Sequence, residues 1–162
     1  MQSADALAFN QLEVGRQWES VPRIVTAADI HTFAAVTGDD TPTDGELDDA
    51  VAADPCTARG LFGPSVATGL ALDSPPVRTI AFLAIKDWNF AGPIAPGDAV
   101  RIRNRVQAVA PRGVGRRAEV SWRVEIVNQR DVVVQSGLIV SLVEGEAVTR
   151  RTRRSAEEAT PP

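Results

Sequence analysis

Apolar and polar residues alternate along the second half of the chain with the period of two that half-buried strands require. Residues 80–90, 99–109, 118–127 and 132–143 all read as strands. The signal is plainest in Val100 and Ile102, and in Ala118, Val120, Trp122, Val124 and Ile126, which are interleaved with polar neighbours. Pro96-Gly97-Asp98 and Asn128-Gln129-Arg130-Asp131 supply turn residues between these segments, and residues 111–115 a looser connection. With one more strand near residues 15–25, the pattern predicts an antiparallel sheet of about five strands.

The first half has a different rhythm. Thr26-Ala27-Ala28-Asp29 resembles a capping box, in which the Thr26 hydroxyl accepts from the Asp29 N–H and Asp29 is a shorter return partner than Glu. A helix to about Thr37 follows, with Ile30, Phe33 and Ala34 on one face and Gly38 at its end. His31 lies off that face and is read as solvent-exposed. Residues 60–71 contain Leu61, Phe62, Val66, Ala67 and Leu70 and no charge, which predicts a helix buried on nearly all sides. Pro64 then has to sit in its first turn, where a missing N–H costs nothing. Residues 38–57 are polar and acid-rich, a loop pattern with one helical turn over 47–53. Residues 1–11 and 145–162 show no period, and both ends are expected to fray; residues 145–162 are read as a disordered tail behind a single domain over 1–144.

A chain of 162 residues has the length of one domain. Its formal net charge is −4 and its basic residues are dispersed, so neither a phosphate-tracking surface nor a nucleic-acid partner is expected. No stretch approaches the roughly 20 apolar residues needed to cross a bilayer, and the first twelve residues lack a leader pattern. A soluble, cytoplasmic protein with no membrane association is expected. Cys56 is the only cysteine and His31 the only histidine, which leaves no internal disulfide and no metal-ligand cluster. Cys56 sits in a loop reading, not in the setting of an activated thiol, and no cofactor is expected.

Six short pieces now fall in one order: Leu12-Glu13-Val14-Gly15, Thr26-Ala27-Ala28-Asp29-Ile30, Thr37-Gly38-Asp39-Asp40-Thr41-Pro42, Arg59-Gly60-Leu61, Pro93-Ile94-Ala95-Pro96-Gly97-Asp98 and Gln135-Ser136-Gly137. In that order and spacing the chain, over residues 9–143, resembles the MaoC-like dehydratases, which include the (R)-specific enoyl hydratases. The resemblance implies an α+β hotdog fold, in which a curved antiparallel sheet wraps one long apolar helix and two subunits pair edge to edge. It further implies a small-molecule acyl substrate and a homodimer, or a heterodimer as some family members form.

The family motif D-x-N-P-x-H corresponds here to Asp39-Asp40-Thr41-Pro42-Thr43-Asp44. By the resemblance, Asp39 is the family aspartate, Thr41 stands for the asparagine, and Asp44 takes the histidine's place. Gly60 falls on the glycine whose N–H faces the thioester carbonyl, Arg59 replaces the histidine before it, and Thr68 falls on a serine that supports the aspartate. Asp39 and Asp44 are thus the expected catalytic pair, with Gly60, Thr68, Thr41 and Arg59 around the substrate. Two carboxylates close together in a poorly solvated tunnel cannot both ionise cheaply, so one can serve as acid and the other as base. That pairing suits loss of water from a β-hydroxy carbonyl compound or a polyketide intermediate, and also ring closure or ketal formation. Two other readings stay open: a non-catalytic subunit that shapes the tunnel of a heterodimeric dehydratase, and a hotdog protein that only binds a small molecule. Without clustered Lys or Arg near the motif, a phosphorylated carrier such as coenzyme A is expected to bind only weakly.

Overall fold

The computed structural model describes residues 6–39, 58, 60–113 and 116–146. Its framework is an antiparallel sheet of six strands in the order β1-β4-β5-β6-β3, with β2 beside β1 on the free side of β4. The long strands are β3 (Thr79–Phe90), β4 (Ala99–Arg112), β5 (Arg117–Val127) and β6 (Val133–Glu144). The expected single strand near residues 15–25 is two short ones, β1 (Gln17–Glu19) and β2 (Arg23–Ile24), which makes the sheet six-stranded. Pro22 lies at the break and has no N–H to give to the ladder. Ser20 bridges it: its N–H donates to the Ile102 carbonyl and its hydroxyl accepts from the Ile102 N–H, each at 3.0 Å.

One face of the sheet is the core. Val100, Ile102 and Val106 of β4 and Ala118, Val120, Val124 and Ile126 of β5 are fully buried or nearly so, while their neighbours along each strand are more open. On the opposite face Arg103 donates to Glu19 at 2.8 Å and to Glu125 at 3.1 Å, joining β1, β4 and β5. The Arg103 contact is the main reason that the Glu19 carboxyl lies below the ordinary carboxylate range.

Helix α1 (Ala27–Thr37) starts as the sequence predicts. The Thr26 hydroxyl accepts from the Asp29 N–H at 3.1 Å, and Asp29 accepts in return from the Thr26 N–H at 2.9 Å. It ends at Gly38, whose φ of 69° is the left-handed conformation that glycine adopts freely. His31 is exposed, as read from the pattern.

Helix α2 (Phe62–Leu70) lies over the apolar face, with Pro64 in its first turn. It corrects one expectation. Phe62, Gly63, Pro64 and Ala67 are buried, but Leu61 is 57% exposed and Ser65 and Gly69 face outward, so within one chain the helix is covered on one side only. A second correction concerns the N-terminal segment, which does not fray over the described residues 6–11. The Leu7 N–H donates to the Pro76 carbonyl at 2.8 Å and the Arg78 N–H to the Leu7 carbonyl at 2.9 Å, and Ala8, Phe9 and Leu12 are buried. A segment this short anchors through tertiary contacts and leaves no period to read. At the other end, Gly145 and Glu146 donate to Arg116 and Asn10, and residues 147–162 lie outside the described residues.

Candidate functional site

Asp39 follows Gly38 directly, so the left-handed turn that ends α1 also sets the direction in which Asp39 leaves the helix. Its N–H donates to the Ala34 carbonyl at 3.0 Å, which ties it to the last turn, and its side chain is exposed to solvent. Gly60, at φ 52°, makes the turn before α2, another backbone conformation that suits glycine. The rings of Phe33 and Phe62 meet edge to face at 5.5 Å and hold the middle of α1 against the first residue of α2. The first turn of α2 offers the N–H groups of Phe62 and Gly63, Pro64 having none, at the positive end of the helix dipole. A developing oxyanion is the chemistry such an end favours.

Thr68 is half-buried on α2, and its hydroxyl donates to the Ser65 carbonyl at 2.8 Å. It also borders a cavity of about 230 Å³. The cavity runs under Ala71 and Leu72, past Pro75 and Val77, and onto β3 at Phe82, with Val124 and Ile139 among its apolar walls. From Phe62 to Thr68 the helix climbs about 9 Å at 1.5 Å per residue, so the turn at Gly60 and the cavity lie toward opposite ends of α2. Thr41, Asp44 and Arg59 lie outside the described residues, as does Cys56.

Sequence reasoning missed the polar groups on the cavity wall. Asn104 on β4 and Ser141 on β6 are 4% and 1% exposed, and both occupy inward positions in otherwise apolar runs. A polar residue at an inward register position is the signal that marks them. The Ser141 hydroxyl accepts from the Trp122 indole N–H at 3.0 Å. The Asn104 Nδ2 donates to the Ser74 carbonyl at 3.1 Å, while its Oδ1 has no partner among the described residues.

The Gln135-Ser136-Gly137 piece also acquires a physical role. Gln135 Oε1 accepts from the Trp88 indole N–H at 3.2 Å and lies against Gly63 in the first turn of α2, and Gly137 leaves room for the Trp88 ring.

No family model matches the chain, and no curated protein matches it in sequence. Solved structures do. A monoamine oxidase regulatory protein from Archaeoglobus fulgidus is 28% identical, with a TM-score of 0.76 over 91% of this chain and 100% of that one. A MaoC-like dehydratase from Rhodospirillum rubrum is 25% identical, with a TM-score of 0.72 over 88% of this chain and 100% of that one. A 3R-hydroxyacyl-ACP dehydratase complex from Mycobacterium tuberculosis is 20% identical, with a TM-score of 0.65 over 80% of this chain and 96% of that one. The chain has the hotdog fold, and the likeness read from its motifs, to the MaoC-like dehydratases, holds in its structure.

Proposed function

We propose that this chain is a dehydratase-type lyase in which Asp39 moves the proton and the N–H groups around Gly60 hold the carbonyl oxygen. The observation that carries this reading is the placement of Asp39. It leaves α1 through the left-handed turn at Gly38, on a helix held by Phe33 and Phe62 against the start of α2. In the elimination, a base takes the proton α to the carbonyl, the electron pair moves toward the carbonyl oxygen, and an acid protonates the departing β-hydroxyl as it leaves as water. Asp39 and Asp44 divide these two proton roles, with one carboxyl ionised and the other protonated. The same pair suits a ring-closing step in which a substrate hydroxyl adds to a carbonyl and water is lost, on a polyketide intermediate in secondary metabolism.

Exposed apolar side chains along β3 support a homodimer. Phe82 and Phe90 are 55% and 53% exposed on a strand that ends the sheet order among the described residues. The second reading, a tunnel-shaping subunit beside a catalytic partner, draws support from the likeness to the mycobacterial dehydratase, whose structure is that of a complex. The test is turnover of a β-hydroxyacyl thioester by the purified chain. Activity lost in Asp39→Asn supports the lyase reading, and no activity without a second subunit supports the other.

A further inference from the structure

Gln135 lies near the start of β6, in register with Ile126 of β5 and Phe90 of β3, and is only 4% exposed. Its Oε1 accepts from the Trp88 indole N–H at 3.2 Å. That bond fixes which end of the carboxamide is which, because an indole nitrogen can only donate and a flipped amide would set donor against donor. The Nε2 then carries two N–H groups, and neither donates to any acceptor among the described residues. Nε2 is not sealed in. Among the described residues, Asn104 Oδ1 is the only fully enclosed side-chain oxygen or nitrogen without a partner, so Nε2 still borders accessible space.

The same carboxamide flanks the first turn of α2. A methyl carbon on Gly63 would fall 2.1 Å from Oε1, 2.7 Å from Cδ and 2.9 Å from Nε2, so the amide fills the space that a side chain at Gly63 would take. In a helix that direction tilts toward the N-terminus, which puts the amide beside the end of α2 where the Phe62 and Gly63 N–H groups begin. A buried side-chain donor without an acceptor thus neighbours the backbone donors of the helix start. A water resting on Nε2 is the molecule that a ligand oxygen would displace.

We propose that Gln135 Nε2 donates to the carbonyl oxygen of the bound acyl group, beside the N–H groups that open α2. The inference deepens the lyase reading and rests on it for the place of the carbonyl. Trp88 is the positioning residue, since by holding Oε1 it presents the nitrogen. As electron density moves onto the carbonyl oxygen during elimination, a donor already fixed by packing strengthens without reorganising.

Two ligands isolate the oxygen: the butyryl thioester of N-acetylcysteamine, and the thioether that has a CH₂ in place of its carbonyl. Each is titrated into the full-length protein while the Gln135 side-chain amide signals, assigned by their loss in Gln135→Met, are followed by NMR. The thioester should move these signals saturably and the thioether should leave them in place. Gln135→Met should bind the thioester about tenfold more weakly, the size of one hydrogen bond, and the thioether unchanged. Amide signals that stay put at saturation, an unaltered thioester affinity in Gln135→Met, an equal loss for both ligands, or no saturable binding of the thioester would overturn the proposal. Should Gln135→Met fail to fold, the amide signals of the wild type, assigned through the backbone, decide alone. Neither ligand has a β-hydroxyl to lose, so failure here leaves the Asp39 test standing, and an inactive wild type leaves this one standing.

Discussion

A methyl group on Gly63 would come within 2.7 Å of Cδ of Gln135, so the first turn of α2 and strand β6 touch with no room for a side chain between them. Gln135 is buried, and it can move aside only by giving up the bond that its Oε1 accepts from the Trp88 indole. Gly137 is less forgiving, since its added carbon would meet the Trp88 backbone at 3.0 Å as well as the ring. Overpacking of this kind typically costs about 1–3 kcal/mol. Gly137→Ala should therefore lower the stability by about 2 kcal/mol in urea unfolding, and Gly63→Ala by less, because Gln135 can give up its bond to Trp88.

Replacing Asp39 by Asn should reduce turnover on the order of 100-fold or more while leaving the unfolding midpoint unchanged. Asp39 is exposed at a helix end, and Asn keeps the size and shape of its side chain. Asp44→Asn should impair turnover only where the two carboxyls share the proton work. A steady-state assay of both variants on a β-hydroxyacyl thioester reads the difference.

Acid should loosen the start of α1. The Asp29 carboxyl is held below the ordinary range first by the Thr26 N–H, then by the Thr26 hydroxyl, with Arg23 adding to both. A carboxyl with a depressed folded-state pKa adds stability above its unfolded value, near 4, and that contribution disappears as the pH falls through the folded value. Asp29→Asn should thus be less stable than the wild type at pH 7, and the gap should narrow by pH 3. Urea midpoints at the two pH values measure it, and the effect should be modest because the pair is solvent-exposed.

If two copies join along β3, charges placed there should separate them. Leu83 and Ile85 are 46% and 45% exposed. The double variant Leu83→Glu and Ile85→Glu should sediment as a monomer, whereas the wild type should sediment as a dimer whose Tm rises with protein concentration.

The legible parts of this fold are those where one face of an element is buried. β4 and β5 alternate cleanly because the core takes every second residue. Thr26, Asp29 and Gly38 announced both ends of α1 because caps are local chemistry. β3 shows the alternation less cleanly, since both its faces are partly exposed. The Gly15 to Val25 region hid its break in Pro22, and Phe9 entered the core from a segment too short to show a period. Of the site, Asp39 and Gly60 were legible only through the motif they share with a family. Asn104 was legible in principle, as a polar residue on an inward register, but a single exception on an apolar face looks like noise until its unpaired oxygen is seen.

Strand β3 has one further consequence. Its pairing with β6 shifts register between Thr79 and Ala81, between Phe82 and Ala84, and between Lys86 and Asn89, where Asp87 takes a φ of 49°. Bulges bend a strand and displace the N–H and C=O groups that a new neighbour would have to meet. A straight strand from an unrelated or partly unfolded chain therefore finds its hydrogen bonds out of step within a few residues. The apolar edge is in this way poor seed material for open-ended aggregation, and the chain can keep sticky side chains at its border without recruiting whatever drifts by.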